Sequence, residues 1–288
     1  MPAAVTPPSR EICFVKYYQK GSTDIAADQM VAPLRARGVA TSAAFAPEAR
    51  RRRDAVLVFI KRADLRDLLL ARLRRNILVL DVHDTIVFKR RVRFAALYDG
   101  MIFRNRRALE DFGRRGSVLI PHHWDERYGP HEAPLDRLRV GFLGDPRSLP
   151  FEVPGVEPVF TDWFAQARRF NAQLSIRRPG RETLYKPNLK VATAAACGAV
   201  LITTRDEAAR EHLGDDYPFY CDADRDAVVA ALARAERLLG GPEWRLALAR
   251  LAAVRERCTL DSVTDRYLDY LAALQPATAP RLRPAAGA

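Results

Sequence analysis

Two lysines four residues apart stand where a helix is predicted to begin. Lys186 and Lys190 flank Pro187, whose fixed φ and missing N–H suit the first turn of a helix. A cation at a helix start opposes the macrodipole unless an anion shares the site. The pair therefore outlines a phosphate site beside free backbone N–H groups, although a solvated helix start would show the same spacing.

Other polar side chains follow predicted strands. Arg177 ends one of them, where it could contact the same anion or simply lie on the surface of an arginine-rich chain. His83 and Asp84 come directly after a buried strand, where a βα turn presents side chains to a ligand cleft. Alternatively, Asp84 could be the N-cap of a helix, and His83 could have only a structural role.

Four residues near the middle of the chain could suggest a metal site. They are His122, His123, Asp125 and His131. Adjacent histidines rarely bind one ion together, and no carboxylate spacing closes a coordination shell here, so the pattern argues against a metal.

The composition is typical of a folded protein, and the length is sufficient for two domains. The chain has 288 residues, is 48% hydrophobic and contains no run of about 18 apolar residues without charge. The four cysteines show no CxxC spacing and are expected to be reduced, and the first residues lack the apolar core of a signal peptide, which predicts a cytoplasmic location.

The net charge of +12 suggests nucleic acid as a partner, but the positions of the basic residues do not support that interpretation. The arginines are spread through the chain, and their one run, Arg50 to Arg53, has no patterned aromatic residues beside it, which argues against nucleic acid. A phosphorylated substrate, or peripheral contact with an anionic membrane, would account for the same positive charge.

Apolar runs alternate with amphipathic segments along most of the chain, which predicts parallel sheets covered by helices. The alternation stops once, from Pro121 to Pro134. The predicted organisation is a Rossmann-like domain over 1–124, a linker over 125–137, a second Rossmann-like domain with terminal helices over 138–274, and a disordered tail over 275–288. The predicted strands are Glu11–Tyr18, Val39–Phe45, Ala55–Ile60, Asn76–Val82, Asp99–Arg104, Val118–Ile120, Leu138–Leu143, Gly155–Phe160, Asn171–Arg177, Ala199–Thr203 and Tyr217–Tyr220.

These features together resemble GT-B-type glycosyltransferases of the family 1/4-like group. The resemblance includes a glycine-rich turn at Gly21-Ser22, an apolar strand ending in His-Asp, LRVGFLG opening the second half, and a helix ending in small residues and Gly198 before an apolar strand. The two glutamates usual in that helix, eight positions apart, are replaced by Tyr185 and Thr193. The resemblance therefore leaves the stereochemical outcome open.

The resemblance implies an α/β fold of two Rossmann-like domains facing each other across a cleft, with a C-terminal helix that returns toward the first domain. It implies transfer of a hexose-like sugar from a nucleoside-diphosphate sugar to a hydroxyl of a glycan or small-molecule acceptor, without a metal or other cofactor. A non-catalytic sugar- or nucleotide-binding protein, a partner of another transferase and a sugar-nucleotide epimerase remain alternatives. The implied site places His83 and Asp84 at the reacting sugar, and around the donor Gly21, Ser22, Arg177, Lys186, Asn188, Lys190, Thr193 and Glu207.

Overall fold

The structure is a computed structural model and describes residues 10–83, 91–129, 131, 133–181 and 183–274. Asp84 and the tail from residue 275 onward lie outside the described residues. Within the described residues the strands form two separate sheets, in which every pairing of neighbours is parallel. The predicted α/β class with two Rossmann-like units is confirmed.

The first sheet has the strand order β2-β1-β3-β4-β5-β6. Every residue of β1, β3 and β4 is buried, as expected for continuous apolar runs with helices on both faces of a parallel sheet. Ile12 pairs with Thr41 on one side and Val56 on the other. The strands are β1 Ile12–Lys16, β2 Thr41–Phe45, β3 Val56–Ile60, β4 Ile77–Val82, β5 Gly100–Phe103 and β6 Ser117–Leu119.

The helices of this half include one departure from the predicted pattern. The sequence pattern predicts one helix from Asp24 to about Arg37. The structure instead has a π turn followed by an α-helix, and Pro33 within that helix lacks the N–H that would bond to the Gln29 carbonyl. The elements are α1 Gly21–Thr23, a π turn Asp24–Asp28, α2 Gln29–Ala36, α3 Ala46–Ala49, α4 Leu65–Leu73, a 3-10 turn Arg91–Leu97 and α5 Arg106–Phe112.

The second sheet has the order β11-β10-β9-β7-β8, and its strands are β7 Val140–Leu143, β8 Val156–Val159, β9 Ala172–Ser175, β10 Val200–Thr204 and β11 Tyr220–Cys221. The last strand starts later than predicted. Pro218 has no N–H for a ladder, and the Tyr217 hydroxyl instead accepts a hydrogen bond from the Leu201 N–H at 3.0 Å.

One helix of the second half starts two residues later than predicted. The helix expected to start at Pro187 starts at Leu189, because the Asn188 side chain bonds outside the helix. The elements are a 3-10 turn Pro146–Ser148, α6 Trp163–Ala167, a 3-10 turn Thr183–Tyr185, α7 Leu189–Cys197, α8 Glu207–Leu213, α9 Arg225–Arg237, α10 Pro242–Arg257 and α11 Leu260–Ala273.

The last helix, α11, packs on the first sheet. Val263, Tyr267 and Leu271 are buried in one cluster with Ile12 and Phe14 of β1. The Phe14 and Tyr267 rings lie 6.0 Å apart. The predicted return of a C-terminal helix to the first half is confirmed.

The segment that joins the sheets is packed on both halves of the protein. The Trp124 indole N–H donates to the Arg255 carbonyl at 2.9 Å, and the Asp125 carboxylate accepts from Gln29 at 2.9 Å. The Asn188 side chain accepts from the His122 N–H at 2.9 Å and donates to its carbonyl at 3.2 Å. In the described part of the chain, no helix has the length and apolar character needed to cross a bilayer.

Candidate functional site

The strand order of each sheet reverses at one place, and the two reversals face one cleft. In open parallel sheets, ligands bind where the order reverses, beyond the carboxyl ends of the strands. Ser22 and Lys61 follow β1 and β3 in the first sheet, and Arg147 and Arg177 follow β7 and β9 in the second. All four side chains line a cleft of about 740 Å³.

The cleft is strongly cationic. Its described lining residues include six Lys and Arg side chains and no Asp or Glu. With walls partly removed from water, such a surface attracts an anion such as a diphosphate. The cations are Lys61, Arg147, Arg177, Arg178, Lys186 and Lys190.

Lys190 is held against the end of β7. Its ammonium group donates to the Leu143 carbonyl and lies 4.7 Å from the centre of the Phe142 ring. Burial, together with the nearby Arg177, lowers the pKa of Lys190 to about 8. Gly144 leaves room for this group, because a Cβ at position 144 would lie 2.5 Å from Lys190 Nζ. The ammonium is therefore positioned by the strand end, and while no anion is bound it loses its proton at a lower pH than an ordinary lysine does.

Arg177 is oriented by the start of α8. Its guanidinium donates to Asp206 at 3.0 Å, and its backbone N–H donates to Thr204 Oγ1 at 3.2 Å. Asp206 also caps α8 by accepting from the Ala209 N–H at 2.9 Å. Asp206 therefore acts as the helix cap and also positions one cation of the cleft.

On the first sheet, His83 lies at the end of β4 and is buried at the base of the cleft. Its Nε2 lies 3.4 Å from Asp81 Oδ1 and has no hydrogen-bond partner among the described groups. Burial lowers the pKa of His83 below its ordinary value, although the Asp81 carboxylate offsets part of that effect. Nε2 therefore faces Asp81, and a neutral imidazole that lines the cleft can accept a hydrogen bond through only one of its two nitrogens.

Asp81 belongs to a buried network behind His83. It accepts from Arg104 Nε at 2.8 Å and from the Tyr267 hydroxyl at 2.9 Å. Burial alone would raise the pKa of Asp81, but Arg104 and then His83 outweigh burial and hold the pKa well below its usual range. The network links the end of β4 to α11.

His122 completes the wall opposite the second sheet. Its ring lies 4.8 Å from the His83 ring, and neither of its nitrogens has a partner among the described groups. Burial, and the charge of Arg104, lower its pKa well below the ordinary value. The described residues contain no group of three His, Cys, Asp or Glu side chains arranged to hold a metal ion.

The structure brings together Ser22, His83, Arg177, Lys186 and Lys190 at the cleft, while four other predicted site residues lie outside its described lining. Gly21 is exposed, and a Cβ there would meet no protein atom within 4 Å, so the fold itself does not require a glycine. The other three are Asn188, Thr193 and Glu207.

Each of these three side chains has a different environment. Asn188 is fully buried and tethers the segment that joins the sheets. The Thr193 hydroxyl bonds back to the Leu189 carbonyl at 2.8 Å within α7. Glu207 lines a smaller neighbouring cavity of about 220 Å³, together with Arg177 and Asp206.

Tyr185, at the first of the two glutamate positions, faces the first half of the protein. Its hydroxyl donates to Asp111 at 2.8 Å, and its ring lies 5.2 Å from the Phe112 ring. Nearby, the Asn105 side chain donates to the Leu184 and Lys186 carbonyls at 3.1 and 3.2 Å. Tyr185 therefore contacts both halves of the protein and does not line the described cleft.

Sequence reasoning did not place Lys61, His122 or Arg147 at the ligand cleft. His122 was considered only as a metal ligand, and Lys61 and Arg147 belong to no recognisable spacing pattern. Lys61 directly follows β3 and has a φ of 66°, a conformation unusual for a residue with a side chain. Its place after a buried strand was the one available signal.

No protein-family model and no curated protein sequence matches the chain. Its structure, however, is similar to Anabaena HepE solved in complex with UDP and glucose, with a TM-score of 0.67 and 9% identity over 91% of this chain and 99% of that one. Sucrose-phosphate synthase from Thermosynechococcus elongatus gives a TM-score of 0.61 and 11% identity over 90% and 97% of the two chains.

An E. coli trehalose-6-phosphate protein bound with UDP-2-fluoro glucose gives a TM-score of 0.57 and 11% identity over 92% of this chain and all of that one. At these identities the comparisons concern the fold. The chain has the GT-B fold.

Proposed function

We propose that the protein is a glycosyltransferase that moves a sugar from a nucleoside-diphosphate sugar to an acceptor hydroxyl, with no metal or other cofactor. The observation that carries this proposal is the cleft between the sheets, whose described lining holds six cations and no carboxylate. A diphosphate supplies the negative charge that such a surface needs. Structures of the same fold were solved with UDP, glucose and UDP-2-fluoro glucose, which supports this class of ligand.

The chemistry assigned to this cleft is electrostatic. As the bond between the sugar and the diphosphate breaks, its electron pair leaves with the diphosphate, where negative charge accumulates. Fixed cations near that position stabilise the transition state, typically by about 3–4 kcal/mol for a well-placed donor. Lys186, Lys190 and Arg177 are the proposed donors, and they make a metal ion unnecessary for neutralising the charge.

On the opposite wall, His83 is the residue proposed to contact the reacting sugar or the acceptor. Its buried, neutral imidazole lines the cleft, with Nε2 on the side of Asp81. The neutral ring can accept a hydrogen bond from a hydroxyl as the new bond to the sugar forms. Asp81 lies 3.4 Å behind it and is the proposed positioning residue.

We also propose that the protein works in the cytoplasm, where its net charge of +12 would favour contact with anionic membrane surfaces. The acceptor is proposed to be a glycan or a small molecule carrying a free hydroxyl.

The test is incubation with a panel of nucleotide sugars and acceptors while free nucleotide is measured. The wild type is expected to release nucleotide from at least one donor. Lys186→Glu combined with Lys190→Glu should abolish nucleotide binding, because the charge of both proposed phosphate contacts is reversed. Arg234→Glu with Arg237→Glu, two exposed positions of α9, is the matched control and should bind as the wild type does.

A second candidate is a nucleotide-sugar-binding protein without transfer activity. It is favoured by Tyr185 and Thr193, which stand at the usual glutamate positions and make structural contacts elsewhere. Tight binding without nucleotide release would support this candidate. If the doubly reversed Lys186 and Lys190 variant binds nucleotide as tightly as the wild type, the phosphate site is elsewhere and both candidates lose their basis.

A further inference from the structure

Helix α4 presents leucines to solvent on the side opposite its packed face. Leu65, Leu69 and Leu73 are 40%, 48% and 80% exposed and follow one another at intervals of four residues, so they form one stripe. The packed face of the same short helix already contributes Leu68 and Ala71 to the core. The exposed stripe therefore has no role in the fold of the described chain.

The stripe lies within the most basic part of the chain. Residues 50–75 contain ten Lys and Arg and three Asp, a net +7 of the chain's +12. The loop that carries the Arg50 to Arg53 run contacts both ends of α4, because Arg50 pairs with Asp67 in the first turn at 2.5 Å and Arg75, just after the helix, pairs with Asp54 at 2.9 Å. The exposed arginines of residues 50–75 are Arg51, Arg53, Arg66 and Arg75.

We propose that this patch docks the protein on an anionic phospholipid surface. Its residues are Leu65, Leu69 and Leu73 with Arg51, Arg53, Arg66 and Arg75, and we call it the α4 patch. Leucines can enter the boundary between headgroups and acyl chains, while arginines pair with lipid phosphates at the same depth. A helix of nine residues is too short to span a bilayer, so α4 would lie along the surface.

The composition of the α4 patch favours lipid over nucleic acid. Proteins that bind single strands without sequence preference stack bases on exposed aromatic rings. The aromatic residue within 50–75 is Phe59, which is buried in the core. Exposed leucines would gain nothing from contact with a phosphodiester chain, whereas at a membrane they are removed from water.

The α4 patch begins close to the cleft. Lys61 lines the cleft at the end of β3, and Leu65 opens α4 four residues later. Docking through the patch would therefore hold one rim of the cleft near the lipid surface. The proposal concerns a surface separate from the donor site, and it does not depend on sugar transfer.

The experiment is sedimentation of the full chain with vesicles of phosphatidylcholine alone and of phosphatidylcholine mixed equally with phosphatidylglycerol. The wild type should sediment with the mixed vesicles and not with the neutral ones, and binding should weaken as salt is added. Leu69→Ser with Leu73→Ser should weaken binding about tenfold or more, because two apolar side chains no longer leave water. Arg51→Glu with Arg53→Glu and Arg66→Glu should abolish it.

Matched controls come from exposed positions on the second half. Val229→Ser with Leu246→Ser removes comparable apolar surface, and Arg225→Glu with Arg234→Glu and Arg237→Glu reverses three charges. Both controls should bind mixed vesicles as the wild type does. Leu73→Ser alone, at the most exposed position, repeats the test if the double leucine variant unfolds.

Three results would overturn the proposal. The first is no binding of the wild type to mixed vesicles. The second is binding of the leucine variants equal to that of the wild type. The third is binding to single-stranded RNA that depends on the arginines but not on the leucines, without vesicle binding, which would make this a nucleic-acid surface.

Discussion

The ammonium group of Lys190 lies 4.7 Å from the centre of the Phe142 ring, at the end of the strand that opens the second half. The cation is thus partly covered by an aromatic face and a carbonyl, and it is exposed to whatever occupies the cleft. Two consequences for ligand binding can be measured directly.

The first prediction concerns pH. Without ligand, the pKa of Lys190 is about 8, because burial and Arg177 disfavour the charged form. A bound diphosphate favours the ammonium and raises that pKa, so binding takes up a proton above pH 8. Nucleotide affinity should be constant below about pH 7 and should fall above pH 8 by up to about tenfold per pH unit. Calorimetric titration across this range measures the effect.

The control for this prediction is Lys190→Arg, whose guanidinium stays charged throughout the range. The fall in affinity above pH 8 should disappear in this variant. An unchanged pH profile in Lys190→Arg would assign the titration to another group.

The second prediction concerns Gly144. In Gly144→Ala the new methyl group would lie 2.5 Å from Lys190 Nζ, so the ammonium must move. We expect nucleotide binding to weaken about tenfold, which corresponds to about 1.4 kcal/mol. Stability should change little, because the displaced atom is the end of a flexible side chain. Binding titrations and thermal melts separate the two effects.

A double-mutant cycle tests whether Gly144 acts through Lys190. If it does, Gly144→Ala with Lys190→Ala should bind no more weakly than Lys190→Ala alone. Fully additive losses would show that the methyl group blocks the ligand itself.

The third prediction concerns the buried network behind His83. Asp81→Asn leaves the Arg104 guanidinium without its buried carboxylate, and we expect a loss of about 3–5 kcal/mol in the free energy of unfolding. Tyr267→Phe removes one hydroxyl and should cost about 1–3 kcal/mol. Urea denaturation of both variants gives these values, and losses below 1 kcal/mol in both would contradict the assigned network.

The same network has a pH signature. The pKa of Asp81 is lowered in the folded state, so its stabilising effect is present above the unfolded pKa of about 3.9 and is lost as the pH falls below that value. The wild type should therefore lose stability in acid more steeply than Asp81→Asn. If the wild type and Asp81→Asn lose stability with the same slope as the pH falls, Asp81 does not contribute to acid denaturation.

The fourth prediction concerns Tyr185. Tyr185→Glu restores the residue usual at this position in GT-B enzymes, but the side chain faces Asp111 rather than the described cleft. Two carboxylates brought together repel, so we expect a lower melting temperature and no gain in nucleotide affinity. Tyr185→Gln, which lacks the charge, should destabilise less. A gain in affinity or turnover in Tyr185→Glu would show that the side chain can reach the donor.

The central strands β1, β3 and β4 could be predicted because they are largely apolar runs, and such runs follow from burial on both faces of a parallel sheet. The lysine pair was also informative, since two charges beside a helix start are typical of an anion site and both side chains line the cleft. Lys61 and Arg147 could not be found in this way, because a single cation after a strand resembles any surface residue until the strand order is known. The role of Tyr185 depends on how the two halves meet, and no local pattern encodes that.

Because α11 packs on the first sheet, the first half of the protein needs the end of the described chain to complete its core. The apolar surface of β1 is covered by residues 263, 267 and 271, near the end of the described chain. During synthesis the first half therefore emerges with this surface exposed, and it cannot complete its core until more than a hundred further residues have followed. Loss of the last helix would leave an open apolar sheet face on the half that was made first, and chaperone binding or aggregation would begin there.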